Sequence, residues 1–212
     1  IERGNVRIPS NVVHIDSDAI KARLPEYQRM VAAGDPTAAA FAHEESSYLS
    51  KRVLVDASTS RRNVLLDGTG DSSIESLTKK VEQARAGGQR VVANYVSLDT
   101  ELAVSNANAR AAATGRAVPE EFIRDTLASV SRVLPQAVDR NLFDELYLYD
   151  TNINGQPRLV LSQVSGRTVI HDARLWDDFI AKGLEPGQRH RRYSWEAQAR
   201  RRGRDEARRA QP

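Results

Sequence analysis

The chain reads as an α/β protein, a parallel sheet flanked by helices, and two observations predict that class. Short apolar runs alternate with longer helical stretches, the order that generates βαβ units. Two of the short runs, Val12-Val13-His14-Ile15-Asp16-Ser17-Asp18 and Asn63-Val64-Leu65-Leu66-Asp67-Gly68-Thr69-Gly70, end abruptly in acid. A short apolar run bounded by turn residues reads as a buried parallel strand. Its acid then falls at the carboxyl end, where open α/β sheets keep their ligand sites.

The elements follow in order. Asn11 to Ile15 is the first strand. Asp16-Ser17 caps a helix from about Asp18 to Arg23, which Pro25 ends, and a loop with Gly34-Asp35-Pro36 follows. Thr37 to Ser60 reads as one long helix with a broken apolar face that includes Phe41, Tyr48 and Leu49. Asn63 to Asp67 is the second strand. Ser72 to Ala86 is an amphipathic helix closed by Gly87-Gly88. Arg90 to Ser97 is the third strand. Asp99 to Ala113 is helical, and Thr114-Gly115-Arg116-Ala117-Val118-Pro119 breaks it. Pro119 to Leu134 is the next helix, with proline well placed in its first turn. Leu146 to Tyr149 is a fourth strand. Asn152-Ile153-Asn154-Gly155 is a hairpin-type turn, so Arg158 to Gln163 and Thr168 to His171 are short edge strands. A last helix from Leu175 to Ala181 ends at Gly183. The sequence thus divides into a domain over 1–184 and a basic tail over 185–212.

Composition narrows the function classes. At 212 residues the chain can bury a proper core, and 40% hydrophobic with 28% charged residues is ordinary for a soluble domain. The net charge of +3 comes from the arginines between Arg189 and Arg209; the body without them is mildly acidic. Nucleic acid is therefore an expected partner only weakly, through the tail. The absence of cysteine excludes disulfides, thiolate metal sites and a cysteine nucleophile, and fits a reducing, cytoplasmic compartment. No apolar run approaches the roughly 20 residues that span a bilayer, so no membrane role is expected. The serines lack a Gly-x-Ser-x-Gly setting, and His171 and His190 have no partners at ligand spacing. His14, alternating on its strand, reads as a core or sheet residue.

Two acidic strand ends side by side put Asp16, Asp18 and Asp67 around one crevice. Clustered carboxylates call for a magnesium ion, a phosphate donor or a hydroxyl to be deprotonated. Each residue also has a plainer role. Asp16 is a natural helix cap. Asp18 lies in a first turn, where the helix dipole favours an acid by a few tenths of a kcal/mol. Asp67-Gly68-Thr69-Gly70 also serves as a strand-to-helix turn. His43-Glu44-Glu45-Ser46 is either a solvated helical face or the opposite wall of the crevice, with Glu44 as the substrate contact.

Strand-Asp-x-Asp, a long helix, strand-acid-Gly-Thr-Gly, an arginine-bearing helix and a Thr-Gly-Arg-Ala-Val-Pro break together resemble the zeta toxin family. The resemblance spans roughly Asn5 to Asp150. It implies a P-loop kinase-like parallel sheet flanked by helices, with ATP and Mg2+ as cofactors. It also implies a sugar-nucleotide substrate such as UDP-N-acetylglucosamine and an antitoxin protein as a possible partner. On it, Asp18 matches the general base on the acceptor hydroxyl. Asp67 matches a magnesium- or substrate-holding acid that is Glu in the family, and Thr69 a substrate-contacting threonine. Arg110, with a one-residue gap, and Arg116 match charge-stabilising arginines near the phosphates. Asp71 stands where the family has Arg.

The family's Gly-x-x-x-x-Gly-Lys-[Ser/Thr] loop occurs nowhere in these residues. The resemblance places it just upstream of the Asp-x-Asp strand, about 10 to 20 residues before Ile1, with Ile1-Glu2-Arg3-Gly4 as the end of the intervening helix. The expectation is a fragment, or a sheet whose first, P-loop strand comes from elsewhere. Two other readings stand beside the kinase: a non-catalytic interaction module of the same fold, and a kinase for another small molecule such as an antibiotic or nucleoside.

Glu185-Pro186-Gly187 is a linker signal, and the arginine-rich stretch beyond it holds few apolar groups to offset an ordering cost of about 1–2 kcal/mol per residue. Deleting Gln188 to Pro212 is expected to leave fold and activity intact. Thermal melts of the complete and truncated chains should agree within about 5 °C; a larger drop would make the tail part of the body.

Overall fold

In a computed structural model, residues 8–35, 37–114, 118–153 and 156–184 are described. The strands are β1 (Val12–Asp16), β2 (Asn63–Asp67), β3 (Val92–Ser97), β4 (Glu145–Asp150), β5 (Arg158–Val164) and β6 (Arg167–Ile170). The helices are α1 (Ser17–Lys21), α2 (Pro25–Ala32), α3 (Ala38–Phe41), α4 (His43–Thr59), α5 (Ile74–Ala86), α6 (Thr100–Thr114), α7 (Glu120–Asp139) and α8 (Ala173–Ala181).

The strands form two sheets. β1 and β2 pair in parallel, Val12 opposite Asn63 through to Asp16 opposite Asp67. The second sheet runs β3-β4-β5-β6, with β3 parallel to β4 and the β4-β5-β6 hairpins antiparallel. The parallel pairs follow from their intervening helices, and the edge hairpins from short turns; Ser165 and Gly166 close the last one at φ +50° and +77°.

The main core belongs to the second sheet. Val133, Leu134, Ala137 and Val138 of α7 pack with Leu146 and Leu148 of β4, Val160 and Leu161 of β5, Trp176 and Phe179 of α8, and Ile74, Leu77 and Val81 of α5. Strict alternation along β4, with Leu146 and Leu148 buried, supplies the sheet's side of it. A smaller cluster, Leu24, Tyr27, Ala38 and Ala42, lies under α2 and α3.

Three expected elements change. The stretch after Pro25 is not loop: proline occupies the first turn of α2, and Tyr27 buries itself to hold the helix. The long helix over Thr37 to Ser60 is two, broken at Ala42, whose backbone (φ −84°, ψ 1°) leaves the helical region while its side chain is buried. α7 does not stop at Leu134 but runs through Pro135 to Asp139, because Leu134, Ala137 and Val138 are all fully packed. Burial there outweighs the roughly 3 kcal/mol that an interior proline costs.

β2 and β3 each pair on one side only among the described residues. Parallel strands are normally covered on both faces. Yet Leu66, Val92 and Val96 on these two strands are 42%, 44% and 66% exposed.

Candidate functional site

The register sets Asp16 directly opposite Asp67 at the carboxyl ends of β1 and β2. Asp16 caps α1: its Oδ1 accepts the Asp18 N–H at 2.8 Å. Asp18 then stands in the first turn, where its Oδ1 lies 3.3 Å from the Lys21 ammonium. The Lys21 side chain is 10% exposed and that of Asp18 is 56% exposed. A buried ammonium needs a charged or hydrogen-bonding partner, so Lys21 fastens the Asp18 carboxylate from beneath and leaves it facing solvent. The i, i+3 spacing of this pair is visible in the sequence. Its burial is not, because that depends on α1 packing against α4, where Ser17 Oγ meets Ser50 Oγ at 2.8 Å.

Asp67 is half-exposed, and its Oδ2 is bonded to His14 Nε2 at 2.8 Å. Of the two places expected for it, core or sheet, His14 takes the second: it lies on β1 with its side chain half-exposed. Ile15 takes the buried face of β1, and His14 points the other way.

Thr69 is exposed in the loop after β2. Gly70 adopts φ +92°, and a Cβ there would lie 2.5 Å from Val130 Cγ2 of α7. The loop thus needs glycine twice over, for the backbone angle and for the close approach. Asp71 anchors its far side: the carboxylate, 9% exposed, accepts from Lys80 Nζ at 2.7 Å and Ser76 Oγ at 2.8 Å. Burial, and secondarily the Asp71 charge, push the Tyr95 phenol up to about 12. Where the resemblance has Arg, this chain uses Asp71 to tie the loop to α5.

Glu44 lies in the first turn of α4. A crossover helix runs antiparallel to its strands, which puts that turn at the same end as Asp67. It stands six residues, about 9 Å, beyond the level of Ser50 and Ser17, and it is exposed. Arg110 sits on α6 before its last turn, also exposed. α6 begins at the carboxyl end of β3, capped by Asp99, which accepts the Glu101 and Leu102 N–H groups at 2.9 and 3.1 Å. It then lies along α7. Arg124 bonds Glu101 at 2.9 Å and holds that carboxyl below its ordinary range, and Asn108 bonds Glu120 at 3.0 Å. Glu120 is ten residues, about 15 Å, along α7 from Val130, the residue that Gly70 touches. The strand ends and the turns after them therefore gather Asp16, Asp18, Asp67 and Thr69 at one sheet end, while Arg110 lies on α6, which packs along α7. Arg116 lies outside the described residues.

A second polar cluster closes the end of β3. Lys182 donates to Ser97 Oγ and to the Leu98 carbonyl, both at 2.7 Å, and stacks 5.9 Å over the Phe179 ring. Burial lowers its pKa, against the opposing pull of Asp99, Asp150 and Asp178. Nothing in the sequence marked it.

Among the described residues no three His, Asp or Glu side chains gather as a metal site. A magnesium ion that arrives with phosphates needs only one or two carboxylates from protein. Asp67 fits that mode: Oδ2 is engaged by His14, and Oδ1 accepts no hydrogen bond among the described residues.

The sequence profile of the family described as Zeta toxin matches residues 4–173. The chain belongs to the zeta toxin family. No curated protein matches it in sequence. Its fold is similar to that of the PezAT chromosomal toxin-antitoxin system of Streptococcus pneumoniae, at 16% identity and TM-score 0.56, over 72% of this chain and 59% of that one. It is also similar to the AvrRxo1-ORF1:-ORF2 structure determined with ATP, at 16% identity and TM-score 0.61, over 81% of this chain and 54% of that one. The chain thus spans between half and three-fifths of the length of these structures. The likeness establishes the P-loop kinase-like fold. Within the described residues no helix is long and apolar enough to cross a membrane.

The Gly70 contact gives a direct test of how this zeta toxin chain holds its loop. Gly70→Ala is expected to cost about 1–3 kcal/mol of stability from strain and overpacking. Val130→Ala in the same chain should restore part of it by removing the clash. Urea unfolding of the two single variants and the double variant measures the coupling; strictly additive losses would mean that the contact does not constrain the loop.

Proposed function

We propose that the chain is the acceptor-side part of a kinase of the zeta toxin type, one that transfers the γ-phosphoryl group of ATP to a sugar nucleotide such as UDP-N-acetylglucosamine. The observation that carries this reading is the pair of half-paired strands. Among the described residues β2 pairs only with β1 and β3 only with β4, and the carboxyl end of β2 bears Asp67. One further parallel strand between them would join the two sheets and cover Leu66, Val92 and Val96. It would also deliver a phosphate-cradling loop to the same end as Asp18, Asp67 and Thr69.

In this reading Asp18, steadied by Lys21, accepts a hydrogen bond from the attacking hydroxyl and takes its proton as the oxygen bonds to the γ-phosphorus and the bond from that phosphorus to the ADP leaving group breaks. An aspartate is a weak base, so its chief effect is orientation of the hydroxyl. Thr69 and Glu44 contact the substrate from two sides. Arg110 and Arg116 neutralise charge on the transferring group, with Arg116 also on the nucleotide, a role worth on the order of 10³–10⁵ in rate for one arginine elsewhere. Magnesium, when bound with the nucleotide, supplies charge neutralisation at the phosphate oxygens, and Asp67 is the residue that holds it. A protein partner acting as antitoxin is part of the proposal, supported by the toxin-antitoxin system among the similar structures. A cytoplasmic location belongs to it too.

The test uses the full-length protein. Asp18→Asn is expected to abolish phosphoryl transfer to the sugar nucleotide, with ATP affinity nearly unchanged. Asp67→Asn is expected to weaken magnesium-dependent nucleotide binding and turnover together. Phosphorus NMR of the products and calorimetric ATP titration check both. Turnover of the Asp18 variant within a few-fold of the parent would reduce that residue to a first-turn helix acid, and no transfer by the parent itself would favour a non-catalytic module.

A further inference from the structure

We propose that His14 is a positioning residue for the Asp67 carboxylate, and that the two act as one unit toward a phosphate-bound cation. This rests on the kinase reading above and adds a residue to it. In the β1–β2 register His14 faces Leu65 and Asp16 faces Asp67. Side chains repeat every second residue, so His14, Asp16, Leu65 and Asp67 share one face, with His14 one step behind the acidic ends. From there the imidazole reaches diagonally, and Nε2 meets Asp67 Oδ2 at 2.8 Å. Nε2 carries the hydrogen of this bond, because an ionised carboxylate is an acceptor only.

Packing does not account for the pair. The two side chains are 49% and 47% exposed, and exposed ion pairs contribute little to stability. The other β1 residues before the acid, Val12, Val13 and Ile15, are aliphatic, the usual choice for a strand of a parallel sheet. A histidine among them therefore calls for another reason, and among the described residues its side chain bonds the acid at the strand end. Carboxylates that bind metal are commonly held by a second hydrogen-bonding group, whose removal costs about 10–100-fold in metal affinity. With Oδ2 engaged by His14, Oδ1 is the oxygen that would be offered to a cation.

The experiment is a double-mutant cycle in the full-length protein, with nucleotide binding titrated against Mg2+ by calorimetry and thermal melts alongside. His14→Ala is expected to raise the Mg2+ concentration for half-maximal nucleotide binding about 10-fold or more. His14→Gln, which can still donate to Oδ2, should recover most of that loss. In the Asp67→Asn background His14→Ala should add nothing. Independently, nitrogen-15 NMR of the histidines should show His14 protonated at Nε2. A normal Mg2+ response of His14→Ala, or an equal loss in the Asp67→Asn background, overturns the inference while leaving the kinase reading in place. A normal Mg2+ response of Asp67→Asn overturns the metal role of Asp67, and this inference with it.

Discussion

Backbone pairing across parallel strands is the constraint on which the rest of this structure depends. Every strand N–H and C=O needs a partner, and leaving a buried one unmade costs about 1–3 kcal/mol. β1 satisfies β2 on one side, and β4 satisfies β3 on one side. The helices are arranged around those two pairs: α4 packs on β1 and β2, while α5 turns away from β2 to share the core of the second sheet. Among the described residues β2 and β3 each keep one edge unpaired, and Leu66, Val92 and Val96 on them are exposed.

The two sheets are built to different standards. The second is closed by antiparallel hairpins and sealed by α7 and α8 around Trp176, Leu134 and Leu161, none of which is exposed. Gln163, buried in this sheet, donates through Nε2 to the Val138 carbonyl and to Thr168 Oγ1, both at 2.8 Å. On the first sheet and the helix after β1, the half-exposed side chains of His14, Asp67 and Asp18 are held by hydrogen bonds and charge rather than by packing.

Much of the candidate site was legible because its signals are local. An acid that ends an apolar run marks a strand end, and Asp16 and Asp67 lie in register as their positions implied. Gly70 was readable as turn chemistry, but the reason no other residue fits, the Val130 methyl against it, needs α7 to be in place. Asp71 looked like a departure from the family pattern until Ser76 and Lys80 showed it to be an anchor. Lys21, Lys182 and His14 were missed or misread because each owes its role to a partner or a covering element distant in sequence.

The sequence by itself determined the class of fold, the order of its elements and the acids at two strand ends. Periodicity, caps and turn residues act over a few positions and are written in neighbouring residues. Only the tertiary structure decided that a proline would sit inside α7, that Ala42 would break a long helix, and that Asp67 would be joined to His14. Those outcomes are set by burial and by contacts between residues about fifty positions apart, which no local pattern encodes.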